Sequence, residues 1–252
     1  MAIEFVEAVS DSTLLSPGEL ESRLRRVGKE RYHHQHPFHL MMHEGQLSRG
    51  QMQAWALNRY YYQSRIPIKD AIILSRSDIP EFRGAWRKRI VDHDGDATQN
   101  GGIERWIRLA EATGLERQRV VRCAEVLPAV RYAVDAYLDL VRNRSFLEAV
   151  ASSLTELFSR DLIALRMDRL RQHYPWLNSA LDYFTARLDQ APEDARFALQ
   201  WVTENAQTRA HQELAIAALE AKCDILWAQL DALHFAYVQP GWPPPGAFRM
   251  ES

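Results

Sequence analysis

Apolar and polar residues follow one another along this chain with the period of an α-helix almost throughout. After Ser16-Pro17, the residues Leu20, Leu24 and Val27 recur at i, i+4 and i+7, which is the spacing of one buried helical face. Proline is favoured in the first helical turn, so this pattern predicts a helix that opens at Pro17. No segment shows the sustained period of two that a half-buried β-strand requires.

Capping residues and prolines mark the other predicted helices. Ser48 with Gln51, and Ser145 with Glu148, have the spacing of a capping box. They predict one helix that runs to residue 76 and another that runs from 145 towards Tyr174-Pro175. Proline inside a helix removes a hydrogen bond, so Pro67 is expected to kink or divide the first of these. Further helices are predicted at 80–94, 103–113, 116–124, 127–142, 180–189, 192–205 and 208–237.

These elements predict an all-α fold, a single compact helical bundle. The 252 residues are expected to form one domain over 1–252, with a core at about 14–237. A short N-terminal extension precedes that core, and a proline-rich tail with the sequence QPGWPPPG follows it. The content of hydrophobic residues, 46%, and of charged residues, 25%, is that of a globular chain, which excludes a fibrous or disordered one.

Charge, cysteine content and apolar runs exclude several classes of protein. There are 31 Lys and Arg residues against 33 Asp and Glu residues, and this balance opposes a broad basic surface for nucleic acid. Cys123 and Cys223 match neither a disulfide framework nor a zinc spacing. The N-terminus has no signal-peptide pattern, and no apolar run approaches the ~20 residues of a membrane-spanning helix. We therefore expect a cytoplasmic protein that binds neither nucleic acid nor membrane.

Two polar residues lie on apolar helical faces. Lys222 has Leu219 behind it and Leu226 ahead of it, so its ammonium group points along an apolar face. Either this lysine snorkels at the edge of the core or it lines an internal cavity. Tyr137 has a similar apolar setting, in which a core tyrosine with one hydrogen bond is the alternative to a site residue.

Arginines share helical faces with aromatic, histidine or polar residues at i, i+3 or i+4. These sets are Trp55, Arg59, Tyr62 and Gln63; Arg89 and His93; Tyr183 and Arg187; and Arg166, which follows Leu162 and Ile163 on a helix that also carries Glu156. If these faces point inwards, the cations converge on one pocket; if not, each arginine is solvated. Such a pocket would suit a small molecule with several carboxylates, because guanidinium groups pair with carboxylates bidentately.

The histidines suggest a metal site only weakly. Five of the nine fall between residues 33 and 43, and His39 and His43 have helical i, i+4 spacing. However, Pro37 interrupts the run, and the paired Glu-x-x-His motifs of carboxylate di-iron bundles are absent from the sequence. The sequence also has no Walker loop, dinucleotide-binding glycine motif or nucleophile elbow. We expect no bound metal, with a metal site at the histidine cluster as the alternative.

Several residue strings closely resemble the pyrroloquinoline-quinone synthase family, in register from about residue 14 to 237. They are YHHQHPFH (32–39), WALNRYYYQ (55–63), IPIKDAIIL (66–74), RIVDHDGD (89–96), GGIERW (101–106), VRYAVDAYL (130–138), SSLTELF (152–158), HYPW (173–176) and KCDILWAQLDA (222–232). The resemblance implies an all-α bundle similar to haem oxygenase that binds neither haem nor metal. It implies an oxidase without a cofactor, with O2 as co-substrate, that cyclises and oxidises a tricyclic polycarboxylate precursor by eight electrons and releases H2O2.

The resemblance also implies a role for individual residues. The substrate-binding positions are His33, Arg59, Tyr62, Gln63, Arg89, Tyr137, Glu156, Arg166 and Lys222. The catalytic positions are His93, over the ring system, and Tyr183 and Arg187, beside the oxygen pocket. One position departs from the family, because Ile163 stands where its members carry a third polar residue, a histidine, at that pocket.

Isoleucine neither donates a hydrogen bond nor relays a proton, so the later oxidation steps could be slower or altered here. Two alternatives stay open. One is a metal-dependent oxidase on the same bundle that uses the histidine cluster, and the other, favoured by the departure at Ile163, is a non-catalytic carrier that only holds the quinone precursor. Finally, the resemblance implies a homodimer, for which we expect the aromatic residues Trp227, Phe235 and Tyr237 and the proline-rich tail to lie at a two-fold interface.

Overall fold

The computed structural model describes residues 13–250, which form eleven α-helices and three short 3-10 segments. The helices are α1 (Pro17–Arg31), α2 (Pro37–His43), α3 (Arg49–Ser75), α4 (Pro80–Asp94), α5 (Gly102–Ala112), α6 (Arg117–Arg122), α7 (Pro128–Asn143), α8 (Phe146–Ala151), α9 (Ser159–His173), α10 (Asp182–Asn205) and α11 (Arg209–Tyr237). The 3-10 segments are His33–Gln35, Ser152–Phe158 and Pro175–Ala180. Within the described residues no strand forms, apart from one isolated bridge between Gly95 and Asn100. The all-α prediction is confirmed.

Residues 1–12, which make up most of the predicted N-terminal extension, lie outside the described residues, so the domain bounds of 1–252 stay a prediction. None of the helices found between residues 13 and 250 has both the length and the apolar character that crossing a membrane demands.

The predicted caps are present. At the start of α1 the Ser16 side chain accepts a hydrogen bond from the Glu19 backbone, and the Glu19 carboxylate accepts one from the Ser16 backbone. The same reciprocal arrangement opens α3 and α8 at the two predicted capping boxes. Each box satisfies backbone N–H groups that the first helical turn leaves without a partner.

Prolines divide the helices less than the sequence predicts. Pro67 lies inside α3, which runs undivided, and Pro192 lies inside α10, which joins the separately predicted helices 180–189 and 192–205. An internal proline removes one hydrogen bond, but most helical stability in proteins comes from tertiary packing. α3 packs against α4, α5 and α7, and α10 packs against α9 and Ser152–Phe158, so both helices continue through their prolines.

The helix predicted from residue 145 towards 174 is wrong in its middle. The chain forms α8, then the 3-10 segment Ser152–Phe158, then α9. Serine hydroxyls donate to nearby carbonyls here, from Ser152 to Ala149 at 2.7 Å and from Ser159 to Glu156 at 2.9 Å. Such side-chain bonds compete with the regular helical ladder. The interruption has a consequence for the site, because the segment presents Glu156 to the interior.

The helix α2 is missing from the sequence prediction because Pro37 reads there as an interruption. In the structure Pro37 occupies the first helical turn, where proline is favoured. The residue before it, His36, caps the helix, since its Nδ1 accepts a hydrogen bond from the Phe38 backbone at 3.0 Å. Histidine is an unusual N-cap residue, so the search for capping residues in the sequence did not identify the start of this helix.

The core is held between the two longest helices. α11 packs against α1, α7, α8 and Ser152–Phe158, while α3 packs against α4, α5 and α7. From α1, Leu20 and Leu24 are fully buried, and each such burial contributes about 1.5–3 kcal/mol. Gly28 lies against the ring of Phe158, and a Cβ atom at residue 28 would collide with that ring.

The proline-rich tail folds back onto the bundle. Phe248 is 1% exposed, and its backbone N–H donates to the Glu125 carbonyl at 2.9 Å. The Tyr237 hydroxyl donates to the Phe248 carbonyl at 3.2 Å. Tyr237 is therefore buried within its own chain, and the expectation that it lies at a two-fold interface is wrong. Phe235 and Trp242, by contrast, are 53% and 70% exposed.

Candidate active site

A main cavity lies between α3, α9, α10, α11 and Ser152–Phe158. The volume that the centre of a water molecule can occupy inside it is about 90 Å³. Nine of the twelve predicted site residues line it: His33, Arg59, Tyr62, Gln63, His93, Glu156, Arg166, Tyr183 and Arg187. The structure thus brings together residues from six separate elements, as the shared helical faces predict. Arg89, Tyr137 and Lys222 lie behind the wall of this cavity.

Arg89 and Tyr137 line a second, smaller space, the lower chamber. Its walls are Tyr62, Ile66, Lys69, Asp70, Arg89, His93, Tyr137, Ser153, Thr155, Glu156 and Asp194. Tyr62, Ile66, His93, Thr155 and Glu156 line both spaces and so form the partition between them.

Three cations form the unpaired cluster, namely Arg59, Arg166 and Lys222. Within residues 13–250 none of the three has a carboxylate partner. The Arg59 guanidinium lies 4.1 Å from the Tyr62 ring centre. Arg166 Nη2 lies 3.2 Å from His39 Nδ1, while its buried Nε has no hydrogen-bond partner in the described chain. Burial, together with the charge of Arg59, lowers the pKa of Arg166 to about 10.

Lys222 is the most deeply buried member of the unpaired cluster, at 1% exposed. Its Nζ donates to the Tyr62 hydroxyl at 2.9 Å and lies 3.4 Å from the centre of the Tyr137 ring. This ammonium does not reach solvent, so the snorkelling alternative is wrong. Burial, followed by the charges of Arg59 and Lys69, holds the pKa of Lys222 well below its ordinary value.

Four other charged residues form the paired cluster, namely Arg89, Arg187, Glu156 and Asp194. Arg187 Nη2 donates to Glu156 Oε2 at 2.7 Å, and its Nη1 donates to Asp194 Oδ2 at 3.3 Å. Arg89 Nη2 donates to the Asp194 carbonyl at 2.8 Å, and its Nε lies 3.6 Å from the Asp194 carboxylate. Burial alone would lower the pKa of Arg187, but the Glu156 charge and its other neighbours outweigh burial and raise it. Burial likewise opposes the charge of Glu156, yet Arg187 and Arg89 hold its pKa below the usual range.

His93 is 5% exposed and lies in the partition beside the paired cluster. Its Nδ1 lies 2.9 Å from the Arg89 carbonyl, and because a carbonyl only accepts, the proton is assigned to Nδ1. The other nitrogen, Nε2, is then free to accept a proton. Burial, followed by the charge of Arg187, lowers the pKa of His93 to about 4. Opposite it, the Tyr183 hydroxyl donates to Gln63 Oε1 at 3.1 Å.

The clustered histidines surround an arginine rather than forming a metal centre. Within the described residues no group of three His, Cys, Asp or Glu side chains is placed to hold a metal ion. His33 and His39 are both 2% exposed, and the Arg166 guanidinium lies against His39. Burial, followed by nearby arginine charges, keeps the pKa of both histidines well below the ordinary value.

Ile163 lines the main cavity together with Arg166, Tyr183 and Arg187. The expectation that it faces the same space as these three residues is confirmed.

Sequence reasoning missed several lining residues, including Tyr32, His39, Thr155, Ser159 and Gln229. A signal existed for the last of these. Leu226, Gln229, Leu230 and Leu233 of α11 all line the cavity at helical spacing, and the same periodicity leads back to Lys222. Thr155 and Ser159 had no such signal, because the sequence predicts one continuous helix here, whereas the structure has a 3-10 segment followed by a new helix.

Comparisons with known proteins agree with this architecture. The model of the TENA/THI-4/PQQC family matches residues 21–232. A protein of Acidiphilium cryptum named pyrroloquinoline-quinone synthase is 57% identical over 238 residues, which are 94% of this chain and 97% of that protein. A Granulibacter bethesdensis protein of the same name is 53% identical and covers 93% of this chain and 92% of its own.

Solved structures share the fold at low sequence identity. A domain with a heme oxygenase-like fold from Shewanella denitrificans is similar with a TM-score of 0.72 and 14% identity, over 94% of this chain and all of that one. A TenA homolog from Pseudomonas syringae has a TM-score of 0.68 and 12% identity, and covers 88% of this chain and 98% of its own. The predicted likeness to the haem oxygenase fold is confirmed.

Proposed function

The chain belongs to the TENA/THI-4/PQQC family, and we propose on this basis that it is a pyrroloquinoline-quinone synthase. As an oxidase with O2 as acceptor, it completes the synthesis of pyrroloquinoline quinone. It closes a ring of the tricyclic amino-acid precursor and removes eight electrons, with release of H2O2. The observation that carries the proposal is the unpaired cluster: Arg59 and Arg166 line the main cavity, Lys222 is buried behind its wall, and these cations suit a ligand with several carboxylates.

Substrate binding rests on the unpaired cluster and its neighbours. Arg59 and Arg166 offer guanidinium forks to carboxylates inside a cavity from which most water is excluded, where charge-assisted hydrogen bonds are strong. Lys222 acts through Tyr62, because its ammonium fixes the hydroxyl of that cavity-lining tyrosine. Binding of the anion would supply the negative charge that these three cations lack within the protein.

Acid–base chemistry falls to His93. Its free Nε2 is available to take a proton from the precursor, and deprotonation makes the ring system electron-rich enough to reduce O2. The carboxylates of the paired cluster would stabilise the imidazolium that forms. Tyr183 and Arg187 lie on one face of α10 and would stabilise negative charge on reduced oxygen.

The deciding experiment separates binding from oxidation. Protein and precursor are mixed without oxygen, oxygen is then admitted, and the quinone spectrum and H2O2 are followed. An oxidase yields quinone and peroxide only after oxygen enters. Binding of the precursor with no oxygen uptake would instead support a non-catalytic carrier, the alternative that Ile163 favours because it removes a polar group from the oxygen pocket.

We further propose that turnover needs no metal or organic cofactor. The arginine beside His39 supports this, since its charge repels a cation from the histidine cluster. Extensive chelator treatment should leave quinone formation unchanged. Loss of turnover that one specific metal restores would favour the metal-dependent oxidase instead.

A homodimer in the cytoplasm is the proposed form of the protein. An apolar groove supports the dimer, since Phe235, Ala232 and Trp242 form its walls together with Leu127 and Pro128. Burying these exposed aromatic side chains against a second copy would remove apolar surface from water. Light scattering at micromolar concentration should give twice the mass of the chain, and a strictly monomeric mass would contradict this proposal.

A further inference from the structure

The lower chamber has the size of a site for one water molecule. The volume that the centre of a water molecule can occupy inside it is about 20 Å³. A cavity that holds one water needs roughly 10–15 Å³ of this volume. Only the partition separates the chamber from the main cavity, so a molecule in it lies one side chain away from the substrate space. A buried water also needs polar partners, and the side chains that line the chamber supply them.

One wall carries a buried ion pair that the proposed reaction does not use. Lys69 Nζ donates to Asp70 Oδ1 at 2.5 Å and to the Ser153 hydroxyl at 3.3 Å. Lys69 is 4% exposed and Asp70 is 1% exposed. The second carboxylate oxygen, Asp70 Oδ2, is buried and has no donor among residues 13–250. Leaving a buried charged oxygen without a donor is costly, so this atom calls for a hydrogen bond from within the chamber.

The lining of the chamber also includes His93. Charged groups act on its imidazole from three other elements, namely Arg187 of α10, Glu156 of the 3-10 segment and Asp70 of α3. Arg187 opposes protonation of His93, whereas Asp70 and Glu156 favour it. Asp70 and His93 thus line one chamber, and the charge of Asp70 reaches His93.

We propose that one ordered water occupies the lower chamber and donates to Asp70 Oδ2, and that Asp70 acts across it as a positioning residue for His93. The negative charge of Asp70 stabilises the imidazolium that forms when His93 takes a proton, while Lys69 and Ser153 hold the carboxylate in place. The role of His93 in this inference rests on the proposed function, whereas the water site does not.

The water site is tested by a crystal structure of the full chain at a resolution that shows ordered water. The expected result is one water within hydrogen-bonding distance of Asp70 Oδ2 and of a second polar atom that lines the chamber. A dry chamber, or a different side chain that donates to Asp70 Oδ2, would overturn the water site. This measurement needs no substrate, so it stands even where the protein fails to form quinone.

The positioning role is tested by Asp70→Asn, which keeps the shape of the side chain and removes its charge. We expect kcat to fall by about tenfold, a part of the roughly 10²–10⁴-fold that a positioned acid–base group contributes, with KM within about twofold of wild type. The matched control is Asp135→Asn on α7, whose carboxylate accepts from the Tyr61 hydroxyl and lies outside both spaces. Unchanged kcat in a folded Asp70→Asn protein would overturn the role.

Asp70→Asn leaves Lys69 without its partner, so this variant could fail to fold for that reason alone. The double variant Lys69→Met with Asp70→Asn removes both charges and keeps side chains of similar volume at both positions. We expect it to fold and to show the same loss of kcat; normal kcat in this protein would count against the role.

An NMR titration of His93, identified by comparison with His93→Gln, gives a readout independent of turnover. We expect His93 to titrate at a lower pH in Asp70→Asn than in wild type, because an acidic neighbour is lost. An unchanged midpoint would overturn the coupling between Asp70 and His93. Wild-type protein that makes no quinone would contradict the proposed function alone.

Discussion

The paired and unpaired clusters both lie inside the protein, but they differ in whether carboxylates of the chain neutralise their cations. In the paired cluster, Arg187 binds two carboxylates of its own chain. In the unpaired cluster, the hydrogen-bond and ring contacts of Arg59 and Lys222 within residues 13–250 are with aromatic rings and a tyrosine hydroxyl. The difference is visible in pKa values, because neighbouring charges raise that of Arg187 and burial lowers that of Lys222.

This contrast separates a structural from a binding use of buried cations. A buried ion pair satisfies itself, so its removal mainly disturbs the fold. A buried cation without a partner leaves a favourable interaction unmade, and an anionic ligand supplies it on binding. Substitutions in the two clusters should therefore differ in which property they change.

The largest expected effect is on stability, from the paired cluster. Arg187→Ala leaves Glu156 and Asp194 without their cation, and breaking a buried pair in this way costs about 3–5 kcal/mol of unfolding free energy. Urea denaturation measures this loss. The matched control is Lys88→Ala, which breaks an exposed pair between Lys88 on α4 and Glu193 on α10 and should cost far less, because exposed ion pairs contribute little. Equal losses in both variants would contradict the assignment of a buried structural pair.

The next effect is on affinity, from the unpaired cluster. Arg59→Ala or Lys222→Ala should weaken precursor binding by about 2–5 kcal/mol, if each cation serves a desolvated carboxylate directly or through Tyr62. The fold should change little, because neither residue has a carboxylate partner among residues 13–250. Anaerobic binding titrations measure the effect, with Arg65→Ala as control, since Arg65 lies on α3 but stacks on Tyr61 outside the cavity. Unaltered affinity in both variants would show that these cations do not recognise the ligand.

Histidines beside the two clusters should make the stability of the protein depend on pH. The pKa of His93, near the paired cluster, is about 4 in the folded protein, whereas the unfolded value is about 6.5. Because the unfolded state takes up the proton first, stability is lost as the pH falls from 6.5 towards 4. For His93 alone this loss is about 1–3 kcal/mol.

The pKa of His33, beside the unpaired cluster, lies well below its ordinary value because of burial, followed by the charges of Arg59 and Arg166. Its contribution to stability is therefore also lost as the pH falls below 6.5. Denaturation at pH 7, 5.5 and 4.5 of His93→Gln, His33→Gln and the exposed control His211→Gln measures these slopes. A slope that neither buried substitution reduces would refute the interpretation.

The smallest expected effect is at Ile163, which lies in the main cavity with members of both clusters. Ile163→His should raise the rate of quinone appearance after oxygen is admitted and leave the anaerobic spectrum unchanged, if a third polar group assists oxygen. A histidine without a partner in this setting costs roughly 1–3 kcal/mol of stability, which could reverse the sign. A folded variant with unaltered kinetics would place residue 163 outside the oxygen pocket.

Helical periodicity predicted much of this site because its residues lie on regular helices. Arg59, Tyr62 and Gln63 share one face of α3, and Tyr183 and Arg187 share one face of α10. The pairing of cations with carboxylates was beyond the sequence. Asp194 meets Arg89 only through tertiary packing, and its i, i+7 spacing from Arg187 on α10 was not recognised because the sequence predicts separate helices on either side of Pro192. The same holds for the lower chamber, whose walls come from five elements.

The break at Ser152–Phe158 was equally beyond the sequence, since the period of its apolar residues is compatible with a continuous helix. Only the serine hydroxyls at its two ends mark it, and such residues also occur inside helices. His36 as the cap of α2 is the second failure, because histidine is rare in that role. The sequence thus predicts which helices face the interior more reliably than it predicts where they end.

The contact between Gly28 and Phe158 means that substitutions at residue 28 of α1 act on the segment that carries the site residue Glu156. α1 itself contributes no wall to the cavity, but Phe158 ends the segment that carries Glu156, and this ring leaves no room for a Cβ atom at residue 28. In a saturation scan selected for activity, residue 28 should reject even alanine, while Gly18 in the same helix, which has open space around it, accepts many side chains. Selection would thus constrain residue 28 as tightly as a residue that touches the substrate.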